Sequence, residues 1–97
     1  MSDLNVNYNK AGNAKEGFQL ASEFLKSHKA KAMFPVTIDF SFIDGLNPRV
    51  IGKGKGFEVT LTFYDTDVTV TLDLAFLLKP MKGKIIDSLA SEIKRVL

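Results

Sequence analysis

Val68-Thr69-Val70-Thr71-Leu72-Asp73-Leu74-Ala75-Phe76-Leu77-Leu78 leads through Lys79 into Pro80-Met81-Lys82. Apolar residues hold every second place from Val68 to Phe76, with Thr69, Thr71, Asp73 and Ala75 between them. A period of two puts alternate side chains on opposite faces of a strand, so this stretch predicts a long strand with one face buried. Pro80 then suits the first turn of a helix, where a missing N–H costs nothing. Met81, Ile85, Ile86, Leu89, Ile93, Val96 and Leu97 recur at helical spacing, while Lys84, Asp87, Ser91, Lys94 and Arg95 fall on the other side. The expected unit is therefore strand Val68–Leu78 running into an amphipathic helix. Its apolar stripe reaches Leu97, so that end is expected to be docked.

Upstream the same period recurs. Phe57, Val59, Leu61 and Phe63 alternate with Glu58, Thr60, Thr62 and Tyr64, and Val36, Ile38, Phe40 and Phe42 alternate with Thr37, Asp39 and Ser41. Arg49–Lys55 reads as a strand with Gly52 and Gly54 on its inner face. Asp44–Pro48, Gly56 and Asp65-Thr66 supply the turns. Leu4, Val6 and Tyr8 make a short first strand. Between it and Val36, Asn13 and Glu16 form a capping pattern and Pro35 a stop, with Ala14, Gly17, Phe18, Ala21, Phe24, Leu25, His28 and Ala32 on one side. The order is β-α-β-β-β-β-α over one domain, residues 1–97. Short hairpin connections make the sheet predominantly antiparallel. Apolar inner faces and Thr-rich outer faces imply an α+β, two-layer, helix-grip-like fold with both helices on one face of the sheet.

Composition narrows the function classes. The chain has 97 residues, no cysteine and a net charge of +2. Thiol chemistry and disulfides are excluded, and the balance is not that of a dedicated nucleic-acid binder. Met1–Lys10 carries no apolar signal core, and the longest apolar run, Leu74–Leu78, is too short to span a bilayer.

No catalytic or metal-binding pattern is visible, and no cofactor is expected. His28 is the only histidine and reads as a half-buried residue near a helix C-terminus. Asp39, Glu58 and Asp73 share the outer face, where no desolvated partner is offered for acid–base work. Gly52-Lys53-Gly54-Lys55-Gly56 fails as a phosphate loop because a strand follows it, not a helix. Its glycines clear inner-face space, for close packing first, or for a cavity lined by Gly52, Gly54, Phe57, Phe76, Ile85 and Leu89. Lysines fall in groups at 26, 29 and 31, at 53 and 55, and at 79, 82 and 84. A basic patch of Lys53, Lys55, Lys82 and Lys84 would bind an anion or nucleic acid, but no aromatic pair interleaves with it as a stacking platform needs. The flat Thr-rich face offers a homodimer contact.

Leu61-Thr62-Phe63, a turn, Val68–Leu78 and then Met81-Lys82-x-x-Ile85 resemble the polyhydroxyalkanoic acid system protein family, bacterial proteins associated with storage-polyester granules. The likeness covers roughly residues 50–97, and the first helix in position and length only. The family's strand ends Leu-Gly-Phe-Leu-Leu and is followed by Phe-Lys. Here Ala75 replaces the glycine, Met81 replaces the phenylalanine, and Pro80 is a further departure. The resemblance implies a bacterial cytoplasmic, non-enzymatic accessory protein whose partner is a polyester granule or a granule protein. Such a role requires an exposed apolar patch, for which Leu46, Leu20 and Ile43 are the candidates. The competing expectation is a small apolar-ligand carrier with its cavity beneath the last helix.

Overall fold

In the computed structural model, which describes residues 3–97, the stretch that begins at Val68 lies one strand in from the edge of a five-stranded sheet. Strands β1 (Leu4–Asn7), β2 (Asp39–Ile43), β3 (Arg49–Gly54), β4 (Phe57–Phe63) and β5 (Asp67–Leu74) lie in the order β1-β5-β4-β3-β2. Every neighbouring pair is antiparallel. Helix α1 (Ala14–Leu25) and helix α2 (His28–Met33) carry the chain from the β1 edge to the β2 edge. The meander β2–β5 then returns it beside β1, and α3 (Lys82–Val96) closes the fold. This is the two-layer α+β arrangement that the alternation implies.

The inner face is apolar because the register aligns the apolar phases of successive strands. Val50 stands opposite Leu61, Leu61 opposite Val70 and Val70 opposite Leu4. Val50, Val59, Phe63, Val68 and Val70 are wholly buried. Helix α1 lies over β3, β4 and β5, and α3 lies mainly over β1. Ile85, Leu89, Ile93 and Leu97 fill the space below α3. The last turn is held by the loop after β1: Asn9, Lys10 and Ala11 donate their N–H groups to the Leu97 main-chain oxygen at 3.1, 2.5 and 2.7 Å. The expected docking of that end is present.

Three sequence-based boundaries are corrected. The helix starting at Asn13 is two helices. Ser27 accepts the Ala30 N–H at 3.3 Å and caps α2 afresh, because a serine side chain can replace the missing helical acceptor. The break resets the helical phase, so Ala30 is fully buried while Ala32 is exposed. His28 is exposed and opens α2 just after α1 ends, so it is not the half-buried residue expected there. The first cap itself is as expected: Asn13 Oδ1 accepts the Glu16 N–H at 2.9 Å, and Glu16 reaches back to the Gly12 N–H at 3.3 Å.

The strand expected over Val68–Leu78 stops at Leu74. Leu74 pairs with Phe57, the first residue of β4, and the Ala75 N–H makes one further bond of 2.8 Å to the Gly56 carbonyl. Beyond that point β4 has turned away. The chain winds into a 3₁₀ segment, Phe76–Met81, whose hydrogen bonds are local. Pro80 lies inside this segment and does not open α3.

Leu89 is 2% exposed and sits at the centre of the α3 stripe. Leu89→Ala is expected to lower the unfolding free energy by about 2–5 kcal/mol in urea titrations followed by circular dichroism. Leu89→Asp is expected to abolish cooperative folding. A near-wild-type midpoint for Leu89→Asp would mean that α3 is not docked.

Candidate apolar docking surface

The residues expected to line one cavity are distributed over separate environments. Gly52 and Gly54 admit the chain that enters β2. A Cβ on Gly52 would stand 2.8 Å from both Ile38 and Phe40, and one on Gly54 would stand 2.6 Å from the Thr37 carbonyl oxygen. The space they clear is thus occupied by Val36–Phe40, in agreement with close packing. Phe57 is buried against the Phe34 ring, 5.4 Å between centroids. Ile85 and Leu89 are buried beneath α3, where the void touching Leu89 measures about 20 Å³, room for about one water. Phe76 is 82% exposed and lines nothing internal. The expectation of a ligand cavity under α3 is therefore corrected: close-packed side chains fill that volume.

Open space occurs instead along the helix side of β2. A groove of about 600 Å³ is lined by Lys31 and by the Phe34–Phe40 segment. Its walls belong to a linked set of rings. Phe57–Phe34, Phe34–Phe40, Phe40–Phe42, Phe42–Phe18 and Phe18–Phe63 centroids lie 5.4, 5.9, 6.4, 6.4 and 5.8 Å apart. These separations are those of favourable aromatic pairs.

Several of the lysines have partners of their own. Lys82 bonds Asp3 at 2.9 Å, and Lys53 approaches Glu58 at 4.0 Å. Lys29 bonds Glu92 at 3.1 Å, and the Lys26 ammonium stands 5.3 Å over the Phe42 ring. The Leu72 N–H, followed by Lys82, holds the Asp3 carboxyl below its ordinary range. Arg95, followed by Lys29, does the same for Glu92. Lys55 and Lys84 are exposed. Among the four residues expected to form the basic patch, two thus face a carboxylate. On the outer face Asp39, Lys53, Glu58 and Asp73 form one cross-strand row. Among the described residues no group of three or more acidic, histidine or cysteine side chains is placed to hold a metal ion. No helix there is long and apolar enough to cross a membrane.

Exposed apolar side chains mark a different feature. Leu46 is 94% exposed in the β2–β3 loop and Ile43 is 38% exposed at the sheet edge, as the sequence suggests, but Leu20 packs against the core. The larger projection was hidden by the overlong strand: Phe76 and Leu77 are 82% and 86% exposed, with Met81 at 39%. They form a tip beyond the β3–β4 turn, next to Lys79, Lys82 and Lys84 in the chain, and at the opposite end of the sheet from Leu46. Two neighbouring large side chains held this far into water could each gain about 1.5–3 kcal/mol on full burial against an apolar surface. The signal that locates the tip is the pairing register: β4 begins at Phe57, so β5 has no partner past Leu74.

No family model matches the sequence, and no curated protein or solved structure matches it.

Gly54→Ala is expected to lower the melting temperature by several degrees, since the added methyl meets a backbone carbonyl that cannot rotate aside. A melting temperature equal to wild type would show that the Val36–Ile38 segment yields freely.

Proposed function

We propose that this chain is a non-enzymatic binding protein that docks on an apolar surface through the Phe76–Leu77 tip. The resemblance of residues 50–97 to granule-associated proteins makes a bacterial storage polyester the intended surface, within the cytoplasm. The observation that carries this reading is the near-complete exposure of two adjacent large apolar side chains on a turn anchored at both ends by β5 and α3. An anchored turn presents its side chains without first having to be ordered, so binding loses little conformational entropy. The exposed Lys79 and Lys84 that follow the tip in the chain would keep the free protein in solution and would favour any anionic coat on the polymer.

The test is co-sedimentation of purified protein with polyhydroxybutyrate particles. Wild type is expected to pellet with the particles. The double variant Phe76→Ser/Leu77→Ser is expected to bind at least about tenfold more weakly while keeping its fold, because its side chains leave the core untouched. Wild-type protein that stays in the supernatant would overturn the reading. So would a double variant that binds as well as wild type, or a loss confined to Leu46→Ser at the other end.

A second reading is favoured by the groove along Phe34–Phe40. Its volume of about 600 Å³ falls within the range of small-molecule sites, and its wall sets Phe34 and Phe40 beside Lys31, which suits an amphipathic ligand with an anionic head. A medium-chain fatty acid that raises the melting temperature of wild type, and not of a Phe40→Asp variant with its own fold intact, would support it over the tip.

A further inference from the structure

The two edges of the sheet are guarded differently. Strand β1 has four residues, lies under α3, and is flanked by the Asp3–Lys82 ion pair. Strand β2 runs Asp39-Phe40-Ser41-Phe42-Ile43 with no proline and no lysine. Natural edge strands usually carry such devices to prevent pairing with another chain.

The ladder shows which backbone groups of β2 are free. Phe63 donates to the Pro48 carbonyl, so residue 48 turns its carbonyl toward β4. By strand alternation 50, 52 and 54 do the same, and 49, 51 and 53 turn toward β2. Their partners Ile43, Ser41 and Asp39 are thereby satisfied inside the sheet. The N–H and C=O groups of Phe40 and Phe42 point outward.

We propose that β2 pairs antiparallel with β2 of a second copy, joining two sheets of five strands about a two-fold axis at Ser41. The sequence is self-complementary in that register. Phe40 of one copy meets Phe42 of the other and exchanges both backbone hydrogen bonds with it. Ser41 meets Ser41, and Asp39 meets Ile43, so no like charges stand directly opposite. Phe42 and Ile43, each 38% exposed in the single chain, are both covered. The helix side has room for the incoming rings, since a hollow of about 370 Å³ lies between α1 and Phe42 and the 600 Å³ groove lies beside Phe40. Charges at the two ends of the strand are complementary as well. Lys31 flanks the Asp39 end and Asp44 the Phe42 end, and the two-fold brings Lys31 of one copy toward Asp44 of the other. This contact differs from one through the Thr-rich face, because it uses an edge and leaves both sheet faces as they are.

The experiment is sedimentation equilibrium of the whole chain from about 1 µM to several hundred µM, with Ser41→Lys and Ser41→Glu variants. Ser41 is exposed, so both variants are expected to melt like wild type. Wild type is expected to approach twice the 10.7 kDa chain mass. Each variant alone places like charges on the axis, and its dimer dissociation constant should rise severalfold. An equimolar mixture of the two should pair at least as tightly as wild type. Wild type that stays monomeric throughout, variants that dimerise like wild type, or a mixture no tighter than its components would each overturn the proposal. Amide exchange of wild type supplies a variant-free readout. Phe40 and Phe42 should gain protection as concentration rises, and protection independent of concentration would contradict the pairing.

Discussion

The architecture depends on where β5 loses its partner. Gly56, with φ of +70°, turns the chain between β3 and β4 in a left-handed conformation that a side chain would strain. Phe57 is therefore the first residue of β4, and Leu74 the last of β5 that has a neighbour to pair with. The Ala75–Gly56 hydrogen bond ends the ladder. Backbone groups past this point need partners of their own, and a 3₁₀ turn followed by a helix provides them locally. The chain reverses there, laying α3 back over β1 and β5 and leaving Phe76 and Leu77 outside the reversal.

The layers beneath are filled by shape, with no space left for a central ligand. Helix α3 puts Ile85, Leu89 and Ile93 onto the sheet, and Gly52 and Gly54 give their space to the chain entering β2. At the β2 edge, Phe40 is only partly buried and Phe42 is more than one-third exposed. The molecule thus has a close-packed centre and two unfinished places, the tip and the edge, both made of aromatic and aliphatic side chains.

Much of this was legible in the sequence, for identifiable reasons. Strand phase was, because an inner face of Phe57, Val59, Leu61 and Phe63 between threonines leaves one choice of side. The apolar stripe of α3 was legible on the same grounds. Strand length was not. Alternation through Leu74, Phe76 and Leu78 states which way side chains would point if the strand continued, but length is set by a partner far along the chain. The break at Ser27 was also hidden, since no glycine or proline marks it and serine caps a helix only when the preceding helix has ended. The first error bore on function, because it concealed the exposed tip, and the second changed only the burial expected of His28. The proposed cavity failed because glycine spacing signals close approach without saying what approaches. Strand order needed the full register.

The tip is where the fold and the proposed function meet, and its exposure can be measured directly. The chain has no tryptophan, so Phe76→Trp introduces a single reporter. Its emission should be red-shifted and quenched by iodide as readily as free indole, and it should shift to the blue when polyester particles are added. Blue-shifted, iodide-resistant emission from the protein alone would mean that the strand continues past Leu74 with Phe76 packed in the core, and would contradict the tip.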